Sequence, residues 1–163
     1  MLAVTFRVAE GAYAIRCEHV VAVIPLVALR PVAHGAPWLR GMFAYRGALT
    51  PVIDLCRLIG SYACPARLSS RIALVSCALP EGGKRTIGLL AEHMTEARRV
   101  DTLRVTAPVA SVPYFGEVLL EGSAPLQFLN VDALLPSAGP LLEGSPNPPQ
   151  VTAGEKNRDP AQP

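Results

Sequence analysis

Residues 36–55 read Ala-Pro-Trp-Leu-Arg-Gly-Met-Phe-Ala-Tyr-Arg-Gly-Ala-Leu-Thr-Pro-Val-Ile-Asp-Leu. Gly41 and Gly47 bracket a strand-length stretch, and glycines at such points admit a bulge, a tight bend or the close approach of another backbone. The stretch predicts a kinked strand, followed by a second strand over 50–55. Pro51 stands near the start of that second strand, where a missing amide donor is tolerated. A short helix is expected over 54–59, with Asp54 as its cap. Trp38, Phe43, Tyr45 and Arg46 are residue types that dominate protein interfaces, because aromatic rings cover large areas and Arg offers a planar fork of donors. The same rings would serve equally well as plain core packing, and Trp is highly buried on average.

Working outward, the chain carries the signals of a β protein. Val4, Phe6 and Val8 alternate with Thr5, Arg7 and Ala9, and Glu10-Gly11 marks a turn before Tyr13-Ala14-Ile15-Arg16, which predicts an opening hairpin. Val20–Ile24, Arg71–Cys77 and Thr86–Glu92 read as further strands, the last two flanking a turn at 80–85. Glu117–Glu121 and Leu126–Asn130 form a closing hairpin around Gly122-Ser123-Ala124-Pro125, and a second brief helix is expected over 131–135 with Asn130 as N-cap. Short strands at this spacing suggest a barrel or sandwich.

With 163 residues, half of them hydrophobic, the chain fits one globular domain and excludes collagen-like, mucin-like and small cysteine-scaffold classes. Pro136–Pro163 contains seven prolines in 28 residues and reads as a disordered or polyproline-like tail, dispensable for binding. The folded unit is expected at 1–135. The net charge is +2, which argues for no global attraction to nucleic acid. Locally, residues up to Arg85 hold ten basic and four acidic groups, whereas 86–135 hold three and six, so two surfaces of different potential are expected. The longest apolar stretch, Val20–Leu29, is ten residues interrupted by Pro25, short of the ~18 that would span a bilayer. The N-terminus alternates like a strand, so a cytoplasmic location is expected. Cys17, Cys56, Cys64 and Cys77 contain no C-x-x-C pair and are expected as unpaired thiols, mostly small buried hydrophobes. A zinc site would have to recruit His19, His34 or His93 from scattered positions. No metal or cofactor is expected.

The chemistry of an enzyme is missing from the motifs. There is no G-x-S-x-G, no H-E-x-x-H and no glycine-rich dinucleotide loop. Gly83-Lys84 lacks the companions of a phosphate loop, since Ala78 and Arg85 occupy the required Gly and Ser/Thr positions. It reads as a solvated turn. His19 and His93 fall in strand-like runs, where a hydrogen-bonded, half-buried imidazole is expected. Asp54 follows two apolar strand residues as a phosphoacceptor would, but the accompanying acidic cluster and lysine are missing, which leaves the structural role.

Pro37, Trp38, Leu39, Gly41, Arg46, Gly47, Pro51, Val52, Ile53, Asp54 and Leu55 together resemble the hallmark segment of the CheW family of chemotaxis coupling proteins. The resemblance extends over about residues 3–135. It implies two intertwined, SH3-like, five-stranded β-barrel subdomains on a shared hydrophobic core, with short helices. It also implies a non-enzymatic adaptor that bridges the cytoplasmic tip of a methyl-accepting chemoreceptor and the regulatory domain of a CheA-type histidine kinase. Membrane contact would be only indirect, through receptor arrays. Arg46 stands at the family arginine implicated in receptor engagement, with Gly41 and Gly47 shaping that surface. The expected site is a groove lined by Arg46, Tyr45, Trp38 and neighbours including Phe43, with Pro37, Pro51 and Asp54 as structural positions. The family's usual Asn is Ala44 here, followed by Tyr45, and its acidic position in the third strand is Ala22. The Gly-Met-Phe-Ala-Tyr-Arg-Gly form, with Ile24-Pro25-Leu26-Val27 and Leu29, is similar to the WspB-type couplers of Wsp surface-sensing systems, which act on a diguanylate cyclase response regulator. The alternative class is a small nucleic-acid-binding β-barrel, motivated by thirteen arginines. It is weakened by nine aromatic residues in the whole chain, because single-strand binders need aromatic platforms in a basic groove.

Overall fold

The computed structural model describes residues 1–101, 103–104 and 111–134. The expected tail at 136–163 lies outside the described residues. The opening hairpin forms as its alternation predicts, with β1 at Leu2–Val8 and β2 at Gly11–Arg16. β3 (Val20–Pro25), β4 (Leu39–Tyr45) and β5 (Ala48–Asp54) follow, and α1 occupies Leu55–Gly60. β6 (Arg71–Ala78) and β7 (Lys84–Ala91) pair across a turn in which Gly82 and Gly83 both have positive φ. Two dipeptide strands that the sequence does not signal, β8 (Arg98–Arg99) and β9 (Leu103–Arg104), precede the closing hairpin of β10 (Phe115–Glu121) and β11 (Ala124–Leu129).

These strands build two sheets. One has five strands in the order β3-β6-β7-β5-β4, and the other has six in the order β8-β1-β2-β11-β10-β9. The second is larger than the expected five because both dipeptides attach at its edges. Each sheet contains one parallel pair, β5 with β7 and β2 with β11, and parallel neighbours need a crossover. For β5 and β7 the crossover runs through α1 and β6. For β2 and β11 it runs through the whole of the other sheet, so the two sheets are interleaved along the chain. The charge division at Arg85 therefore separates no structural halves.

The core is shared. Val4, Phe6, Val8 and Ile15 of one sheet join Val52, Ile53, Ile72, Leu74, Ile87 and Leu89 of the other, closed by Leu129, Val131 and Leu134. A second cluster of Ala3, Ala14, Val100, Leu119, Leu126 and Phe128 fills the opposite face of the six-stranded sheet. β1 is thus covered on both sides, and this overrides its apparent polar face. Thr5 is buried, its amide donates to Thr95 Oγ1 at 3.0 Å, and its hydroxyl accepts from Arg98 Nε at 3.0 Å. The polar alternate is kept because both its hydrogen-bonding groups find partners.

Three other local expectations change. The segment after Asn130 is a 3₁₀ turn at Val131–Ala133, and the Asn130 side chain makes no cap bond to it. His19 closes another 3₁₀ turn at Cys17–His19 instead of lying in a strand. His93 is exposed in a turn with φ +47°.

The glycines of the deciding segment act as their positions predict. Gly41, at φ +154°, lies in the β4–β5 register shift, and a Cβ there would come within 2.5 Å of the Arg30 carbonyl oxygen. That closeness lets Arg30 and Met42 exchange two backbone hydrogen bonds of 2.8 Å, tying the connection after β3 onto the free edge of β4. Arg46 and Gly47 take φ of +48° and +78°, the primed two-residue turn that matches strand twist. Pro51 pairs with Met42 of β4, whereas the ladder to β7 begins only at Val52, so its missing donor breaks no bond on that side. Gly41→Ala is expected to break the Arg30–Met42 bridge, with a loss of about 1–3 kcal/mol. Urea unfolding and faster exchange of the Arg30 and Met42 amides would register it.

Candidate functional site

Two ends of the β4–β5 hairpin carry different chemistry. At the closed end, Tyr45, Arg46, Ala48, Leu49 and Thr50 line a groove of about 450 Å³, together with Val21 of β3 and Lys84, Arg85 and Thr86 of β7. Three cations line this groove and no carboxylate does. Val21 is the residue skipped by the β3–β6 register shift between Val20 and Ala22, and the bulge turns it outward: it is 44% exposed, and Leu49 is 48% exposed. The Arg46 guanidinium stands over the Tyr45 ring, 5.2 Å from its centroid. Such a cation–π contact fixes a long side chain that would otherwise lose much rotamer freedom on docking. Phe43 supports Tyr45 from behind, their ring centroids 6.3 Å apart, and is itself packed on the shared core. Gly47 contributes only its turn.

The structure does not bring Trp38 to this groove. It precedes β4, and the six residue steps from Leu39 to Tyr45 at about 3.3 Å each put it ~20 Å away. The ring is half-buried against the shared core, and its carbonyl accepts the Asp54 amide at 2.7 Å. The expected single groove containing Trp38 and Arg46 is therefore two separate places, with Gly41 also on the Trp38 side of the hairpin. From the neighbouring strands, sequence reasoning missed Val21, Lys84, Arg85 and Thr86 as lining residues. No local signal marks them, because their meeting with Arg46 depends on how the strands align across the sheet. Of the departures from the family pattern, Ala44 is exposed beside the groove and Ala22 is half-buried against the core.

At the open end sits Asp54, fully buried and the N-cap of α1 as expected. Its Oδ1 accepts from the Arg57 amide at 3.2 Å, and its Oδ2 accepts from Arg40 Nη1 at 2.9 Å and from the Cys64 amide at 3.0 Å. Arg40 Nη1 also donates to the Cys64 carbonyl, and Arg57 Nη1 to the carbonyl of Pro37. One carboxylate thus locks the start of β4, the end of β5, α1 and the following loop. Nearby, the Tyr62 hydroxyl donates to Glu92 Oε2 at 2.6 Å and accepts from the Ala9 amide at 2.7 Å, joining this loop to the opening hairpin.

A nucleic-acid groove would need several stacking rings. Tyr45 is the one ring among the residues lining this groove. Among the described residues no helix is long and apolar enough to cross a membrane.

The two ends should respond differently to mutation. Asp54→Ala leaves Arg40 without its carboxylate partner and α1 without its cap, and should cost about 3 kcal/mol or more. Trp38→Ala should cost about 2–3 kcal/mol, less than a fully covered ring. Leu49→Ala at the groove should stay within about 0.5 kcal/mol of the parent. Urea midpoints with unchanged m-values would separate them. A Trp38 variant as stable as the parent would contradict its placement on the core.

Comparison with known proteins places this geometry. The chain is similar to the scaffolding protein TtCheW from Thermoanaerobacter tengcongensis, with a TM-score of 0.66 and 21% identity over 78% of this chain and 87% of that one. At that identity the likeness establishes the fold. No curated protein sequence matches the chain. A model of the CheW-like domain matches residues 2–139, a span that takes in both sheets, the groove and the Asp54 lock. On that match, this chain belongs to the CheW-like domain family.

Proposed function

We propose that this protein is a non-enzymatic coupling adaptor that joins a methyl-accepting chemoreceptor to a CheA-type histidine kinase, with the receptor's helical tip docking at the Tyr45–Arg46 groove. The carrying observation is the composition of that groove. Exposed Val21 and Leu49 offer apolar area, and a ring-held Arg46 sits beside Lys84 and Arg85. An amphipathic helix carrying carboxylates on its flank complements such a surface in both respects. Family membership supports the role, and the position of Arg46 matches the arginine that the family resemblance ties to receptor engagement. Trp38 is left out of the docking residues and assigned to packing.

The receptor and kinase are proposed to be of the Wsp surface-sensing type. Ala44 stands in place of the family's usual Asn beside the groove, Ala22 in place of its acidic residue in the third strand, and Tyr45 lies between Ala44 and Arg46, so the groove recognises its helix with more apolar surface and one ring.

The test is a calorimetric titration of the full chain with a receptor-tip fragment and, separately, with the kinase regulatory domain, using parent protein and Arg46→Glu. Arg46 is exposed, so the variant should melt as the parent does. Receptor affinity should fall about thirtyfold or more, with kinase affinity unchanged. A Wsp-type tip should bind more tightly than a motility-type tip. Equal receptor binding by parent and variant would remove the groove from the receptor contact, and binding to neither partner would remove the adaptor role.

A further inference from the structure

The four cysteines carry no disulfide, and two of them meet. Cys56, on α1, and Cys64, in the loop that follows it, are both fully buried. The ligand atoms of Asp54, Cys56 and Cys64 all lie within 4.8 Å of one another. Cys56 lies two positions after Asp54 and Cys64 eight positions after Cys56, a spacing that matches no structural zinc motif. The strand end, the helix and the returning loop bring the three donors together.

We propose that Asp54, Cys56 and Cys64 form a binding site for a zinc-type divalent cation, held by two thiolates and one carboxylate oxygen. Three observations carry this. The first is donor capacity. A carboxylate offers about four acceptor sites, and Asp54 uses three of them, on Arg57, Arg40 and Cys64, which leaves one on Oδ1 for a metal. The second is charge. Asp54 is paired with Arg40 and lies 3.7 Å from Arg57 Nε, and a cation that enters as both thiols lose their protons changes nothing in total: M²⁺ + 2 RSH gives M(SR)₂ + 2 H⁺. The charge of the cluster is the same before and after, so no new charge is created in the core. The third is preorganisation. The Cys64 amide and Arg40 orient the carboxylate from outside, the arrangement by which outer groups fix metal ligands. Two soft sulfurs with one oxygen select zinc or cadmium over magnesium or calcium, and the fourth position is left for water or a carbonyl. The site is separate from the groove and independent of receptor docking.

The experiment uses the full chain, reduced, stripped of metal by chelator, and titrated with cadmium chloride and with cobalt chloride. One ion per chain should bind, with a thiolate-to-metal charge-transfer band and release of two protons. Cys77→Ala, which removes a buried thiol outside the cluster, should keep the band. Cys56→Ala and Cys64→Ala should bind at least about tenfold more weakly. X-ray absorption of the metal-loaded parent needs no variant to fold, and should show two sulfur neighbours at about 2.3 Å. An absent band, a band that survives in Cys56→Ala and Cys64→Ala, or one or no sulfur neighbours would overturn the site. So would a cysteine pair that takes up no metal and forms only a Cys56–Cys64 disulfide on treatment with a thiol oxidant.

Discussion

The buried Asp54 carboxylate is the constraint on which the arrangement of the first sheet rests. It caps α1, it accepts from Arg40 at the start of β4, and it accepts from the Cys64 amide in the loop that returns toward β6. A charge with no side-chain exposure is tolerable only when fully paired, so all three pieces of chain must be in place together. The carboxylate therefore specifies the geometry of the crossover that makes β5 and β7 parallel neighbours. That adjacency in turn brings Lys84 and Arg85 to Arg46.

The β4–β5 hairpin then works as a lever with two dissimilar ends. Its open end is rigid: Trp38 rests on the shared core, and Asp54 anchors the backbone beside it. Its closed end projects a primed turn into solvent, with the guanidinium of Arg46 resting on Tyr45. Rigid strands beneath an exposed turn hold recognition residues in place without ordering them at the moment of docking. Gly41 serves the same purpose midway, since its missing side chain lets the connection after β3 bond to β4 and hold that strand's free edge.

Much of this was legible from residue types alone, and the reason is locality. The hairpin turns, the bulge at Gly41, the harmless Pro51 and the Asp54 cap each depend on groups a few positions apart. Turn chemistry and capping preferences report such contacts directly. The hallmark segment also pointed to the family, which the match over residues 2–139 established. Where the local signal failed, an unseen neighbour had intervened. Thr5 looked solvent-facing until a second cluster covered that side of β1, and Asn130 held a cap position with no bond to make.

The sequence by itself determined the longer strands, their turns, the kink in the deciding segment and the capping role of Asp54, because these follow from backbone freedom and short-range hydrogen bonding. Only the tertiary structure decided that Trp38 and Arg46 lie at opposite ends of one hairpin, that Val21 and Lys84 share a groove with Tyr45, and that Cys56 and Cys64 converge on Asp54. Those neighbours are set by sheet register, by two parallel crossovers and by the path of a loop, and residues distant along the chain carry no mark of which partner they will meet.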